Sequence, residues 1–213
     1  MSSRILSPRT SMAAGIVVAT VLGGLAIQAS AQTSNRASAP AANVPASGAW
    51  LVDAARTGDT RAAEVFIAHG ADVDQGRHGD GTPLIVAARN GDLAMARLLI
   101  EQGAELDRPV RGDGNPLINA AAHGHVEMAN YLISLGADVN AVAPDDETPL
   151  INAAREGHLD VVRRLVTAGA DVNLAVPVVL PSGASELRSP LSQARRKGHQ
   201  AVAAFLIEQG AHG

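Results

Sequence analysis

Residues 148–173 read TPLINAAREGHLDVVRRLVTAGADVN, and this stretch decides the fold. Thr148 can cap a helix whose first residue is Pro149, and Gly157 can end that helix in a tight turn. A second helix, beginning near Leu159, carries an apolar stripe at helical spacing. The stretch closes with Asp and Asn, which favour turns. It therefore predicts two short helices followed by a projecting loop.

The same pattern recurs along the chain at a fixed step. The motif Ala-Ala-x-x-Gly ends at Gly58, Gly91, Gly124 and Gly157, which are evenly spaced along the sequence. A fifth copy, with Gly198, follows after a longer interval because an insertion precedes it. Self-similarity at a period of roughly 33 residues predicts a solenoid of stacked repeats.

The composition agrees with thin stacked layers and excludes several classes of function. The 213 residues are 46% hydrophobic but only 2% aromatic, so a single large core is not expected. The absence of Cys excludes disulfides, Cys-ligated zinc and a cysteine nucleophile. A formal net charge of -4 gives no basic surface for nucleic acid, and we expect no nucleic-acid partner.

The motif Thr-Pro-Leu-x-x-Ala-Ala-x-x-Gly-His, followed by Gly-Ala-Asp-Val-Asn, resembles the ankyrin repeat family from about Ala46 to the C-terminus. The resemblance implies an all-α solenoid of about five helix-turn-helix repeats with projecting β-turn loops and a concave face that binds proteins. We expect a repeat domain over residues 48–213, with a loop insertion near 176–187. Its repeats should cover about 48–78, 79–111, 112–144, 145–177 and 186–213. The family's usual His after Thr-Pro-Leu is replaced by Ile85, Ile118, Ile151 and Ser192, so packing must replace a hydrogen bond or the bond is missing.

The N-terminal segment predicts export. Arg4 and Arg9 precede an apolar stretch, and the small residues at 29–31 suit cleavage after Ala31, so residues 1–31 are interpreted as a signal peptide. Residues 32–47 are rich in Ala, Ser and Pro and predict a flexible linker. We therefore expect a periplasmic or secreted protein; an uncleaved membrane anchor is the alternative.

Equivalent positions of stacked repeats form columns, and one column contains arginines: Arg56, Arg89, Arg155 and Arg196. These side chains could bind an acidic partner segment, although Arg is also a common solvent-facing residue on helices. The projecting loops differ from one another in their charged residues. This difference suits partner recognition, but loop sequences also vary when nothing binds them. The loop residues proposed for partner binding are Arg77, Arg111, Asp145 and Asp146.

The insertion contains Val178, Val179 and Leu180, consecutive apolar residues where a loop is expected to be polar. This loop either contacts a partner or a membrane surface, or folds back over the last repeat. Trp50, in the first repeat, is expected to cover the exposed end of the stack.

His125, His158 and His199 recur at one repeat position but lack the spacing of metal ligands, so no metal or other cofactor is expected. Motifs of hydrolases and phosphate-binding loops are absent, and we expect no enzyme activity. The sequence predicts a monomeric, exported protein-binding scaffold. An accessory or protective subunit of one exported enzyme or toxin is the alternative, as is a membrane-tethered regulator if the signal is uncleaved.

Overall fold

The computed structural model describes residues 48–144, 147–179 and 183–212, all within one compact unit, Ala41–Gly213. The predicted signal peptide and linker, residues 1–31 and 32–47, lie outside the described residues. The described residues form ten helices and two strands. In chain order these are α1 (Gly48–Thr57), α2 (Thr60–Ala68), α3 (Pro83–Asn90), α4 (Leu93–Glu101), α5 (Pro116–Ala122), α6 (Val126–Ser134), α7 (Pro149–Glu156), α8 (Leu159–Thr167), β1 (Val176–Val179), β2 (Ser185–Arg188), α9 (Pro190–Lys197) and α10 (Gln200–Glu208).

Consecutive helices pair into five helix-turn-helix repeats, in which the odd-numbered helices form an inner row and the even-numbered helices an outer row. Each repeat packs against the next, with α3 beside α5 and α5 beside α7. This arrangement confirms the predicted all-α repeat solenoid.

The inner helices begin and end where the motif predicts. The hydroxyl of Thr82 accepts a hydrogen bond from the backbone N–H of Ile85 at 3.2 Å, and Pro83 follows the cap because its missing N–H costs nothing there. The helix ends at Gly91, which adopts a φ of 69° in the left-handed region. The following outer helix α4 is capped in turn by Asp92, whose carboxylate accepts from Met95 N–H at 3.0 Å.

Leucine and alanine fill the interior between the two rows. Leu84, Leu117 and Leu150 are at most 1% exposed, and the Ala-Ala pairs beside them are fully buried. Small alanines let neighbouring helices approach closely, which explains a core with few aromatic side chains.

The residues that replace the family's His are accommodated in two ways. Ile85, Ile118 and Ile151 are at most 2% exposed, so apolar packing takes the place of the usual polar contact. Ser192 instead closes a capping box: its hydroxyl accepts from the backbone N–H of Ser189 at 2.9 Å.

Two series of hydrogen bonds link neighbouring repeats, and the first of them begins at the second repeat. In the first, the Nε2–H groups of His125, His158 and His199 donate to the carbonyl oxygens of Arg89, Ala122 and Arg155, at 2.9 to 3.1 Å. In the second, which we call the loop ladder, a side-chain oxygen of one loop accepts a backbone N–H of the next loop. The loop ladder consists of Asp74, Asp107, Asn140 and Asn173.

The insertion folds as a β-hairpin where the sequence analysis expected an elongated loop. Strands β1 and β2 pair antiparallel, with Val176 opposite Arg188 and Val179 opposite Ser185. β-branched valines in β1 favour an extended strand, which explains this departure from an all-α chain. Two of the shorter loops close in a similar way, through single bridges between Arg77 and Gly81 and between Val110 and Gly114.

Two aromatic side chains of the first repeat, Trp50 and Phe66, lie near each other. The ring of Trp50 lies 6.4 Å from that of Phe66, measured between centroids, and Trp50 keeps 48% of its surface exposed. Further along, the outer row is held by two contacts between an arginine and an aromatic ring of the next repeat. They join Arg97 to Tyr131 and Arg163 to Phe205, at 4.5 and 4.6 Å.

Candidate functional site

The inner helices place four arginines at equivalent positions near their C-terminal ends, and we call this set the arginine column: Arg56, Arg89, Arg155 and Arg196. Each side chain remains between 24% and 47% exposed. A cation in the last turn of a helix also interacts favourably with the helix dipole, so the position suits the residue. Ala122 occupies the equivalent position of the middle repeat and interrupts the column.

Every member of the arginine column lies beside a carboxylate of a projecting loop or of the hairpin. The guanidinium of Arg56 is 2.5 Å from the carboxylate of Asp80, and that of Arg89 is 3.8 Å from Asp113. Arg196 binds Glu186 of β2 at 3.1 Å. The loops and the hairpin therefore place a carboxylate near each arginine of the column, and exposed ion pairs of this kind contribute little to stability.

Glu147 is more buried than the other acidic partners, and its carboxylate binds two arginines. One oxygen accepts from Arg155 at 2.8 Å and the other from Arg188 at 2.7 Å, and the Glu147 side chain is only 3% exposed. The hydrogen bond with Glu147 raises the pKa of the Arg188 guanidinium above its ordinary value. This cluster fastens β2 to the preceding repeat.

These acidic partners were not predicted from the sequence, although the spacing between two of the arginines and their aspartates is regular. Asp80 follows Arg56 at the same interval at which Asp113 follows Arg89, a spacing that a search for paired columns would find. Glu147 stands where the two earlier repeats have Gly81 and Gly114, and its role depends on the insertion. Only the three-dimensional structure brings Glu147 and Arg188 together.

The loop residues proposed for recognition are placed differently from one another. Both terminal nitrogens of Arg77 donate to the Asp53 carboxylate, at 2.8 and 2.9 Å, so this guanidinium turns back toward α1. Arg111 lines a cavity of about 360 Å³ between the first two loops. Asp145 and Asp146 lie outside the described residues.

The apolar residues of the insertion are divided between two environments. Val176 is buried and Val178 is half-buried, whereas Val179 is 74% exposed. Leu180 lies outside the described residues. One face of the hairpin thus packs on the repeats, while the other face remains exposed.

The aspartates of the loop ladder are electrostatically distinct from its asparagines. Burial raises the pKa of the Asp74 and Asp107 carboxyl groups, although each accepts a backbone N–H that lowers it in part. Asn140 and Asn173 occupy the equivalent positions without a charge.

The recurring histidines contact backbone of the preceding repeat. Beyond its Nε2 hydrogen bond, the ring of His158 lies where a side chain on Gly124 would be, since a Cβ there would stand 2.7 Å from its Nδ1. Within residues 48–144, 147–179 and 183–212, no three or more His, Asp or Glu side chains form a group that could hold a metal ion.

Stacked helix-turn-helix repeats with projecting loops, an inner charged row and an apolar hairpin define a repeat-solenoid binding scaffold. The family model for ankyrin repeats (3 copies) matches residues 51–143, 111–176 and 141–213. The chain belongs to the ankyrin repeat family, whose repeats generally mediate protein–protein interaction and whose members are typically non-enzymatic scaffolds. A comparison with curated proteins finds no match.

In the part of the chain that the structure describes, no helix is long and apolar enough to cross a membrane.

Proposed function

We propose that this chain is an exported scaffold that binds a protein partner through its inner row of helices and its loop tips. The observation that carries the proposal is the arginine column. Its guanidinium groups already lie against side chains of the loops, the helices or the hairpin, so docking would order them at a smaller cost in entropy. A guanidinium has five N–H donors, which is more than a single carboxylate can engage. An acidic segment of the partner can bind the donors that remain.

The projecting loops supply specificity in this proposal. Arg77 and Arg111 lie in loops of unlike sequence, and Asp145 and Asp146 follow in the next loop. A rigid scaffold with unlike loops can present a different contact in each repeat. The partner would then be recognised by a pattern of charges along the stack.

In-cell crosslinking tests this proposal. The tagged full chain is crosslinked in intact cells of its source, and the attached proteins are identified and counted. We expect a protein partner whose recovery falls at least about tenfold in Arg89→Ala, as for the loss of one charge-assisted contact. Arg61→Ala is the matched control, because Arg61 is exposed on the outer helix α2. Equal recovery with both variants would contradict a role for the arginine column.

The number of partners distinguishes the two scaffold functions. Among the described repeats, only the last begins with a full β-hairpin, and a surface particular to one repeat favours a single dedicated partner. Recovery of one protein at equal stoichiometry would support an accessory or protective subunit of one exported enzyme or toxin. Recovery of several proteins would support a general scaffold. In either case we expect the chain itself to be monomeric.

The cellular location is part of the proposal and rests on the sequence of residues 1–31. Cleavage after Ala31 would release a chain beginning at Gln32 into the periplasm or the medium. N-terminal sequencing of the protein from fractionated cells tests this directly. Recovery of Met1 in the membrane fraction would instead support a membrane-tethered regulator.

A further inference from the structure

The exposed face of the hairpin β1–β2 is mainly apolar, with Ser185 as its polar member. Residues opposite each other in an antiparallel pair lie on the same face, as do alternate residues of one strand. Pro177 pairs with Leu187, so these two residues share a face with Val179. Val179 is 74% exposed and Leu187 is 66% exposed. Such exposure of large apolar side chains on one small element marks an interaction surface.

The opposite face of the hairpin holds it in place. Arg188 binds the buried Glu147 at 2.7 Å, and Glu186 binds Arg196 at 3.1 Å. Because both contacts join β2 to other elements, the exposed face is presented in a fixed orientation. A surface that is already ordered loses less entropy when a partner docks.

The hairpin also borders an apolar groove. A cavity of about 540 Å³ lies between β1 and the loop of the preceding repeat. Of the residues that the structure describes, Val142, Ala143, Pro144 and the four residues of β1 line it, and none of these carries a charge. Val142 is 51% exposed at the rim. The volume falls within the range of about 300–1,000 Å³ that is usual for ligand sites.

We propose that this groove and the adjoining exposed hairpin face, here called the hairpin site, bind an extended, uncharged apolar segment of a partner protein. The inference rests on the proposed function, and it names the chemistry of one segment that the scaffold binds.

Charge, area and shape together select this occupant. A charged segment would lose water against the valines of the groove, and the described residues of its lining offer no counter-charge. A stable dimer buries about 800 Å² and 20–30 residues on each side, which the few residues of the hairpin site do not provide for a second copy. The strand β1 runs along the groove and suits an extended segment, whose alternate side chains could enter it.

Peptide binding to the full chain tests the hairpin site. The probes are the peptide Ser-Val-Ser-Val-Ser-Leu-Ser and a counterpart with Asp at its three apolar positions. Binding is followed through the methyl NMR resonances of valine. We expect the apolar peptide to shift the resonances of Val142, Val178 and Val179, and the acidic peptide to leave them unchanged.

Two variants decide whether the peptide binds at this place. Val179→Asp should weaken binding of the apolar peptide about tenfold, since it removes one buried aliphatic contact and adds a charge. Val65→Asp is the matched control, because Val65 is 45% exposed on α2 and should leave binding unchanged. Both positions are exposed, so the far-ultraviolet circular dichroism of each variant should match that of the parent.

Several outcomes would overturn the inference. They are equal binding of the acidic peptide, shifts confined to other methyl groups, and equal loss of binding in the two variants. A dimer in sedimentation velocity that Val179→Asp abolishes would assign the hairpin site to a second copy. Binding to vesicles of phosphatidylcholine and phosphatidylglycerol that the same variant abolishes would assign it to a membrane surface.

The proposed function and the hairpin site can fail separately. If crosslinking in cells recovers a partner that depends on Arg89 while neither peptide binds, only the hairpin site is wrong. If the apolar peptide binds as expected while cells yield no crosslinked protein, the proposed function is wrong although the groove accepts apolar segments.

Discussion

Replacing Asp107 by Asn should stabilise the repeat domain at neutral pH. Asp107 accepts the backbone N–H of Asp138 with both carboxylate oxygens, at 3.1 and 3.3 Å. Burial, together with the nearby charge of Asp138, raises the pKa of this carboxyl group above its ordinary value of 3.8. A raised pKa means that the ionised carboxylate is less favourable in the folded chain than in the unfolded chain. Removing the charge is therefore favourable, even though one charge-assisted hydrogen bond becomes neutral.

The equivalent position of the next repeat already has an asparagine, and it shows the contact that the Asp107→Asn variant can form. At the equivalent position Asn140 accepts the N–H of Asp171 at 2.8 Å and donates from Nδ2 to the carbonyl of Gly169 at 3.4 Å. In the Asp107→Asn variant, the new amide can donate in the same way to Gly136. One additional hydrogen bond contributes about 0.5–1.5 kcal/mol. For a domain of this size, 1 kcal/mol corresponds to a rise in Tm of about 2–4 °C.

The gain should depend on pH, and its direction follows from the raised pKa. Below 3.8 the carboxyl group is protonated in the folded and unfolded chains, so the parent bears no penalty from its charge. As pH rises through the folded pKa, the parent loses this part of its stability, whereas the Asn variant does not titrate there. The variant's advantage should therefore be smaller at pH 3 and complete at pH 7.

Urea unfolding at both pH values measures the difference in free energy of unfolding. Asn140→Asp is the matched reversal, because it introduces a charge at the same ladder position and removes the Nδ2 donor. It should destabilise the domain at pH 7 by about 1 kcal/mol. An Asp107→Asn variant that is less stable than the parent at pH 7, or a gain that does not change with pH, would refute the reasoning.

Three further predictions concern the free energy of unfolding, which is measured by urea or thermal denaturation. Glu147→Ala should lower the free energy of unfolding by about 2–3 kcal/mol. This loss is smaller than for breaking a fully buried ion pair, because the guanidinium groups of Arg155 and Arg188 are partly exposed. A loss below about 0.5 kcal/mol would contradict an anchoring role for Glu147. Gly124→Ala should cost more than Gly136→Ala, since both have positive φ but only the first places a Cβ against His158; equal costs would contradict this packing. Thr148→Ala should cost about 1 kcal/mol by removing the helix cap, and Thr148→Ser should restore most of it.

The repeat architecture could be predicted from the sequence because it depends on local signals at a fixed period. Thr82 and Pro83 begin a helix and Gly91 ends it, and these signals act locally, without contacts from distant parts of the chain. The apolar stripe of the second helix requires a neighbouring layer, and the regular recurrence of the motif supplies one. Short-range chemistry repeated in register is therefore enough to specify the solenoid.

The geometry of the candidate sites could not be predicted in the same way. Arg188 and Glu147 are 41 residues apart, and their contact exists only because the insertion folds into strands that turn back over the preceding repeat. The sequence of β1 is consistent with a loop, a strand or a cover for the last repeat. Whether Val178 or Val179 faces the repeats depends on the pairing of β1 with β2, which is a non-local contact.

The histidine contacts between repeats have a consequence for how such a chain can lengthen. His125, His158 and His199 each reach only the repeat before them, and the loop ladder likewise joins immediate neighbours. A tandem duplication of the third repeat, which holds both His125 and Asn140, would therefore bring both halves of the new junction with it. The chain can grow by whole units through genetic duplication, while the hairpin, tied to Glu147 of the repeat before it, stays with the final unit.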